Sequence, residues 1–233
     1  MPSTLHLLCA GAAQGLVKAL QASFLADTGA TVAGRFGAVG AMKEALLAGE
    51  ACDVFVSTDK MIGELIAEGR LRADSRAALG RVRTGIAVRR GEPHPDVSTP
   101  EALKAALLAA DALYFPDALR STAGIHFANV LRELGILDAL EPRFRTFPNG
   151  ATAMREMAAT AAPRLIGCTQ VTEIKYTDGV ELVAALPARF ELATTYTAAA
   201  SAMATDSALA QGFVALLAGP GAHALRVAGG FEV

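Results

Sequence analysis

Four short runs of small and hydroxyl-bearing residues lie where apolar, strand-like segments give way to helical periodicity. They are Gly11-Ala12-Ala13, Gly37-Ala38-Val39-Gly40, Ser121-Thr122-Ala123-Gly124 and Asn149-Gly150-Ala151-Thr152. A helix that opens in such a turn leaves its first amide N–H groups without intrahelical partners. The helix dipole adds partial positive charge at the same place. Glycine and alanine also let backbone approach a guest closely. Together these features hold a small anion with backbone amides. Small residues are common in the turns of any alanine-rich α/β chain, so the inference rests on the four runs jointly.

Side chains near these turns extend the chemistry. Ser57, Thr58, Ser121, Thr122 and Thr152 carry hydroxyls, and Gln170 both donates and accepts hydrogen bonds. Arg83 and Arg120 have the forked geometry that pairs with a carboxylate, although a solvated surface is the commoner place for either taken alone. Two residues have the titrating groups that proton transfer requires. His126 follows the Ser121 run, and Glu173 lies one turn past Gln170. The ordinary alternatives are a packing imidazole and a surface carboxylate.

Other catalytic patterns are missing. Ser57 and Lys60 match an S-x-x-K spacing but lack its partner motifs. There is no GxSxG, HExxH or GxxxxGK, and Gly11 to Gly15 lacks the G-x-G of a dinucleotide turn. His6, His94 and His223 are scattered, so neither a metal nor a cofactor is expected.

The totals narrow the field. A chain of 233 residues with 52% hydrophobic content buries a substantial core in one large or two small domains. Net charge is −2 with no basic block, which argues against nucleic acid as a partner. No apolar run reaches the roughly 18 residues of a membrane span. Cys9, Cys52 and Cys168 are odd in number without CxxC spacing, so they are expected as small buried hydrophobes. Met1-Pro2-Ser3 runs straight into an apolar strand with no basic leader, which predicts a cytoplasmic protein. A removed leader would make it periplasmic.

The elements that must position these groups follow from periodicity. Strands are expected over 5–10, 31–36, 53–57, 85–89, 112–115, 144–147, 165–169, 180–186 and 193–199. Helices are expected over 12–28, 41–48, 60–68 (capped by Asp59), 100–110, 125–134, 151–159, 171–175 and 207–217, with a short one before Gly229. The alternation predicts parallel sheets flanked by helices, with ligands at strand C-terminal ends.

These stretches carry a family resemblance. FGAVGAMKEALLAGEACDVFVSTD (36–59), with LLCAGAAQGLVKAL (7–20) and RSTAGIHFANVL (120–131), resembles the molybdate-binding type of ABC-importer solute-binding protein. The resemblance implies a class II periplasmic-binding-protein fold, α/β and two-lobed. Lobe one would be 1–82 plus 191–233 and lobe two 83–190, joined by two crossover strands that hinge shut over an inter-lobe guest.

It also implies the contacts. They are the backbone at Gly11, Ala12, Ala13, Ala38 and Val39, Ser57 or Thr58, then Ser121, Thr122, Ala123, Thr152 and Gln170, with Arg120 for charge. The family holds molybdate with hydroxyls, but Ala12 and Val39 stand where it has serines, and Gln170, in GCTQVTE, where it has a tyrosine. An organic carboxylate is therefore favoured over molybdate. An ABC importer would be the partner of an exported protein. The alternatives are a cofactor-free isomerase of a di- or tricarboxylic acid, similar to aconitate isomerase, with His126 or Glu173 as the proton-transfer group, and an anion sensor that offers the amphipathic 206–217 segment to a partner.

Overall fold

The structure, a computed structural model, describes residues 3–233; Met1-Pro2, part of the expected natural start, lie outside the described residues. β1 (Thr4–Ala10) passes through one 3-10 turn, Gly11–Ala13, into α1 (Gln14–Thr28). β2 (Thr31–Gly37), α2 (Val39–Leu47), β3 (Val54–Thr58), α3 (Asp59–Ala67) and β4 (Ala77–Arg89) follow. Next come α4 (Pro100–Ala109), β5 (Ala112–Pro116), α5 (Thr122–Glu133), α6 (Leu137–Leu140) and β6 (Phe144–Phe147). The chain continues with α7 (Gly150–Ala159), β7 (Leu165–Gln170), α8 (Val171–Tyr176) and β8 (Val180–Ala185), and ends with β9 (Ala193–Ala200), α9 (Ser207–Ala218) and α10 (His223–Gly229). It forms two compact units, residues 1–82 with 194–233, and residues 83–193.

In the first unit, β2, β1 and β3 are parallel, with Ala10 beside Gly37 and Cys9 beside Val56. β9 runs antiparallel to β3, with Ser57 opposite Thr197. This register brings the C-terminal ends of β1, β2 and β3 to one sheet edge, where the 3-10 turn, α2 and α3 begin. One face packs Leu8 and Phe55 against Met42 and Ala45 of α2 and Ile62 and Leu65 of α3. On α1, Phe24 meets Phe213 of α9 edge to face at 4.8 Å.

In the second unit, β7, β5 and β6 are parallel, with Pro116 beside Phe147 and Tyr114 beside Gly167. β4 is antiparallel to both β7 and β8. The ends of β5, β6 and β7 share an edge, where α5, α7 and α8 start. The two faces carry separate cores. Ile86, Leu113, Phe115, Ile166 and Cys168 pack with Leu103, Leu107, Phe127 and Leu131 of α4 and α5. Ala87, Tyr114 and Leu165 pack with Met154 and Met157 of α7 and Ile174 of α8.

Three boundaries depart from expectation for identifiable reasons. β4 begins at Ala77 rather than residue 85. Arg81 and Arg83 interrupt the apolar run, yet Arg81 exchanges both backbone bonds with Glu232 at 2.8 Å, a pairing with the far end of the chain. α5 begins at Thr122 rather than residue 125, so Gly124 lies in its first turn. A Cβ there would stand 2.2 Å from the Pro116 carbonyl oxygen and 2.3 Å from that of Asp117. Finally, Thr58 rather than Asp59 caps α3, its hydroxyl accepting from Met61 N–H at 3.4 Å. Among the described residues, no single helix is long and apolar enough to cross a membrane.

Candidate functional site

At the strand-end edge of the first unit, two helical starts lack any side-chain cap. Ala10 precedes the Gly11–Ala13 turn and Ala38 precedes α2, and neither offers a side-chain acceptor to the amides that follow. The expected contacts Gly11, Ala12, Ala13 and Ala38 are buried here, and Val39 is half-buried. Beside the first of these starts ends β3, the neighbour of β1, and Ser57 of β3 is fully buried with its Oγ lacking a protein partner. A buried hydroxyl left unpaired costs roughly 1–3 kcal/mol, so this one is poised for an added group. Thr58 is committed to its cap. Asp59 brings the edge a carboxylate, but Arg76 grips it at 2.6 and 3.2 Å and Thr197 donates to it at 2.8 Å. Arg76, above all, holds its pKa below the ordinary range.

The second unit has a comparable edge on its α5 face. Ser121 is the N-cap of α5 without a side-chain capping bond, and the first helical bond runs from Ile125 N–H to its carbonyl at 2.9 Å. The amides of Thr122, Ala123 and Gly124 therefore precede the intrahelical ladder. Gln170, at the end of β7, is 2% exposed, and neither atom of its amide has a protein partner. Opposite it in the register is Thr84, 1% exposed, whose Oγ1 is likewise unpartnered.

The α7 face differs from the α5 face. The Asn149-Gly150-Ala151-Thr152 run does open a helix, but its amides are already occupied by the protein itself. The Thr152 N–H donates to Asn149 Oδ1 at 2.8 Å, and the Thr152 hydroxyl accepts from Arg155 at 2.9 Å. The Gly150 and Ala151 N–H groups bond the Glu173 carboxyl, as does that of Gln170, and Thr169 Oγ1 donates to Glu173 Oε2 at 2.5 Å. The Glu173 carboxyl and the Asn149 cap thus occupy the amides of this turn. Glu173 is correspondingly not a surface carboxylate but buried, and burial pushes its pKa above the ordinary value.

The remaining candidates are dispersed. Arg120 is exposed on the loop before α5, where Asp117 Oδ1 accepts from its amide at 3.2 Å. Arg83 pairs with Glu191 at 3.3 Å. His126 donates through Nε2 to the Phe190 carbonyl at 2.7 Å, tying α5 to the 188–190 turn. Cys9 and Cys168 are buried as expected, whereas Cys52 is half-buried with its thiol pushed up to about 12, chiefly by desolvation. A cavity of about 510 Å³ at the opposite end of the first unit's sheet is lined by His6, Asp53 and Ser201. There Asp53 is spent on the amides of His6 (2.7 Å) and Thr205 (2.9 Å), a structural tie away from the helix starts.

Sequence reading missed Thr84, Thr169 and the role of Gly150. The signal for Thr84 was the alternation Val82, Thr84, Ile86, Val88, all buried. For Glu173 it was the Gln170-x-x-Glu173 spacing of a capping box, in which the third helical residue bonds back to the N-cap amide.

The chain is similar to known proteins in sequence and in fold. A family model described as bacterial extracellular solute-binding protein matches residues 5–232. An aconitate isomerase from Pseudomonas sp. is 27% identical over 206 residues, covering 84% of this chain and 75% of that protein. Among solved structures, the periplasmic molybdate-binding protein of Azotobacter vinelandii superposes with a TM-score of 0.79 at 21% identity, covering 98% of this chain and 99% of that one. The sulfate-binding protein of Mycobacterium tuberculosis superposes with a TM-score of 0.75 at 15% identity, covering 98% and 86%.

Proposed function

The chain belongs to the bacterial extracellular solute-binding protein family, and from that premise we propose that it binds a small anion, an organic carboxylate rather than molybdate. The observation that carries this reading is the set of buried, unpartnered polar groups, Ser57 near the end of β3 in one unit and Gln170 at the end of β7, with Thr84 opposite it on β4, in the other. They sit beside helix starts that no side chain caps. Two facts favour a carboxylate. Ala12 and Val39 supply no hydroxyls to a tetrahedral oxyanion, and the aconitate isomerase relative is named for an organic acid. Arg120, on the loop into α5, supplies a charge suited to a carboxylate. An ABC importer is the partner this reading implies if the protein works outside the cytoplasm.

The test is a thermal-shift panel of molybdate, tungstate, sulfate, phosphate, citrate, aconitate and simple dicarboxylates, followed by calorimetry. Carboxylates are expected to raise the melting temperature in a concentration-dependent way. Arg120→Ala should weaken the best of them by about tenfold or more, the range for a hydrogen bond to a charged group. Stabilisation by molybdate alone would contradict the carboxylate assignment.

A second reading, proton-transfer isomerisation, draws on the same relative and on the buried, pKa-raised carboxyl of Glu173. It predicts exchange of a substrate C–H with heavy water, lost in Glu173→Gln. Binding without exchange rejects it.

A further inference from the structure

Thr84 and Gln170 form a cross-strand pair whose surroundings define its needs. Two residues before Gln170 on β7, Cys168 stands opposite Ile86 of β4. Cys168 and Ile86 pack with Leu103 and Phe127 on the face that α4 and α5 cover. Side chains two apart on a strand share a face, so Thr84 and Gln170 finish this apolar column at the edge where α5 begins. The column below them is wholly apolar and offers no hydrogen-bond partner.

Both Gln170 Oε1 and Gln170 Nε2 are unpartnered, so exchanging the two ends of the amide leaves the requirement unchanged. The amide needs one group that donates and one that accepts, while Thr84 Oγ1 can take either part. A deprotonated tetrahedral oxyanion or a plain dicarboxylate offers acceptors only. Either would leave the amide carbonyl desolvated and unpaired. A carboxylate bearing a hydroxyl supplies both kinds of partner.

Resting on the anion-binding reading above, we propose that the ligand is a hydroxycarboxylate whose hydroxyl donates to the Gln170 carbonyl. Its oxygens accept from the Gln170 amide nitrogen and the Thr84 hydroxyl. Gln170 is then the residue that separates hydroxy acids from acids of the same charge and length.

The experiment is calorimetric titration of the full chain with matched pairs that differ by one hydroxyl, malate against succinate and citrate against tricarballylate, with sulfate as an acceptor-only anion. Malate is offered as each enantiomer. For wild type, the hydroxy acid of at least one pair is expected to bind about tenfold tighter or more, the effect of one unpaired buried acceptor. Gln170→Leu should bring that ratio close to one. Thr84→Val, a milder change, should lower affinity for the preferred acid, and it carries the test if Gln170→Leu does not fold. Carboxylates that bind wild type without regard to the hydroxyl overturn this inference and leave anion binding standing. So does a hydroxyl preference that survives both substitutions. If no anion binds at all, both readings fall.

Discussion

Glu173 is a carboxyl enclosed by backbone, and two opposed effects set its proton affinity. Burial disfavours the charge, while the Thr169 hydroxyl and the amides of Ala151, Gln170 and Gly150 favour it; burial prevails and the pKa is raised from 4.5. The folded protein therefore holds a proton that the unfolded chain has released above pH 4.5. By linkage, stability must fall as pH rises from that point through the raised pKa, and then level off. Glu173→Gln, neutral at every pH, lacks this descending segment, which should therefore appear in the difference between the two proteins' stability–pH curves, measured by urea denaturation. A difference curve that is flat from pH 4 to 9 would show that Glu173 titrates normally. At this scale the residue types of Ser57 and Gln170 were legible in the sequence. The commitment of Glu173 was not, because its partners Gly150 and Thr169 belong to other elements.

Helix starts divide into those the chain caps for itself and those it leaves open. Thr99 caps α4, Asn149 caps α7 and Asp206 caps α9, each side chain accepting from an amide three residues on at 2.8–3.1 Å. Ala38, in extended backbone before α2, has no such acceptor. Replacing an alanine N-cap by serine stabilises a helix by about 1 kcal/mol. Ala38→Ser should accordingly raise the stability of the ligand-free protein while lowering its affinity for the anion, since the new hydroxyl competes for the same amides. Higher stability with unchanged affinity, read by denaturation and calorimetry together, would place the guest elsewhere. Element types were mostly legible from periodicity. The early start of α5 was not, because its first turn is polar and small, and only the close approach of Gly124 to the carbonyl oxygens of Pro116 and Asp117 identifies it.

For the molecule as a whole, each unit has its own buried cores and its own set of unpaired polar groups. A ligand present at a hundred times its Kd adds about 2.7 kcal/mol to stability. Ser57→Ala tests the first unit's set and Gln170→Leu the second's, each expected to diminish the thermal shift produced by a ligand that draws on that unit. A loss confined to one variant assigns the guest to that unit alone.

The amino-acid sequence by itself determined the alternation of strands and helices, the small residues at their junctions and the kinship of the chain, because periodicity and turn chemistry are local. Tertiary structure decided which junctions remain open to a guest. The α2 and α5 starts lack a side-chain cap, whereas that of α7 is filled by a carboxylate from 23 positions further along the chain. Whether an amide is free depends on what the fold brings to it, and that partner is set by strand register and helix packing rather than by neighbouring residues.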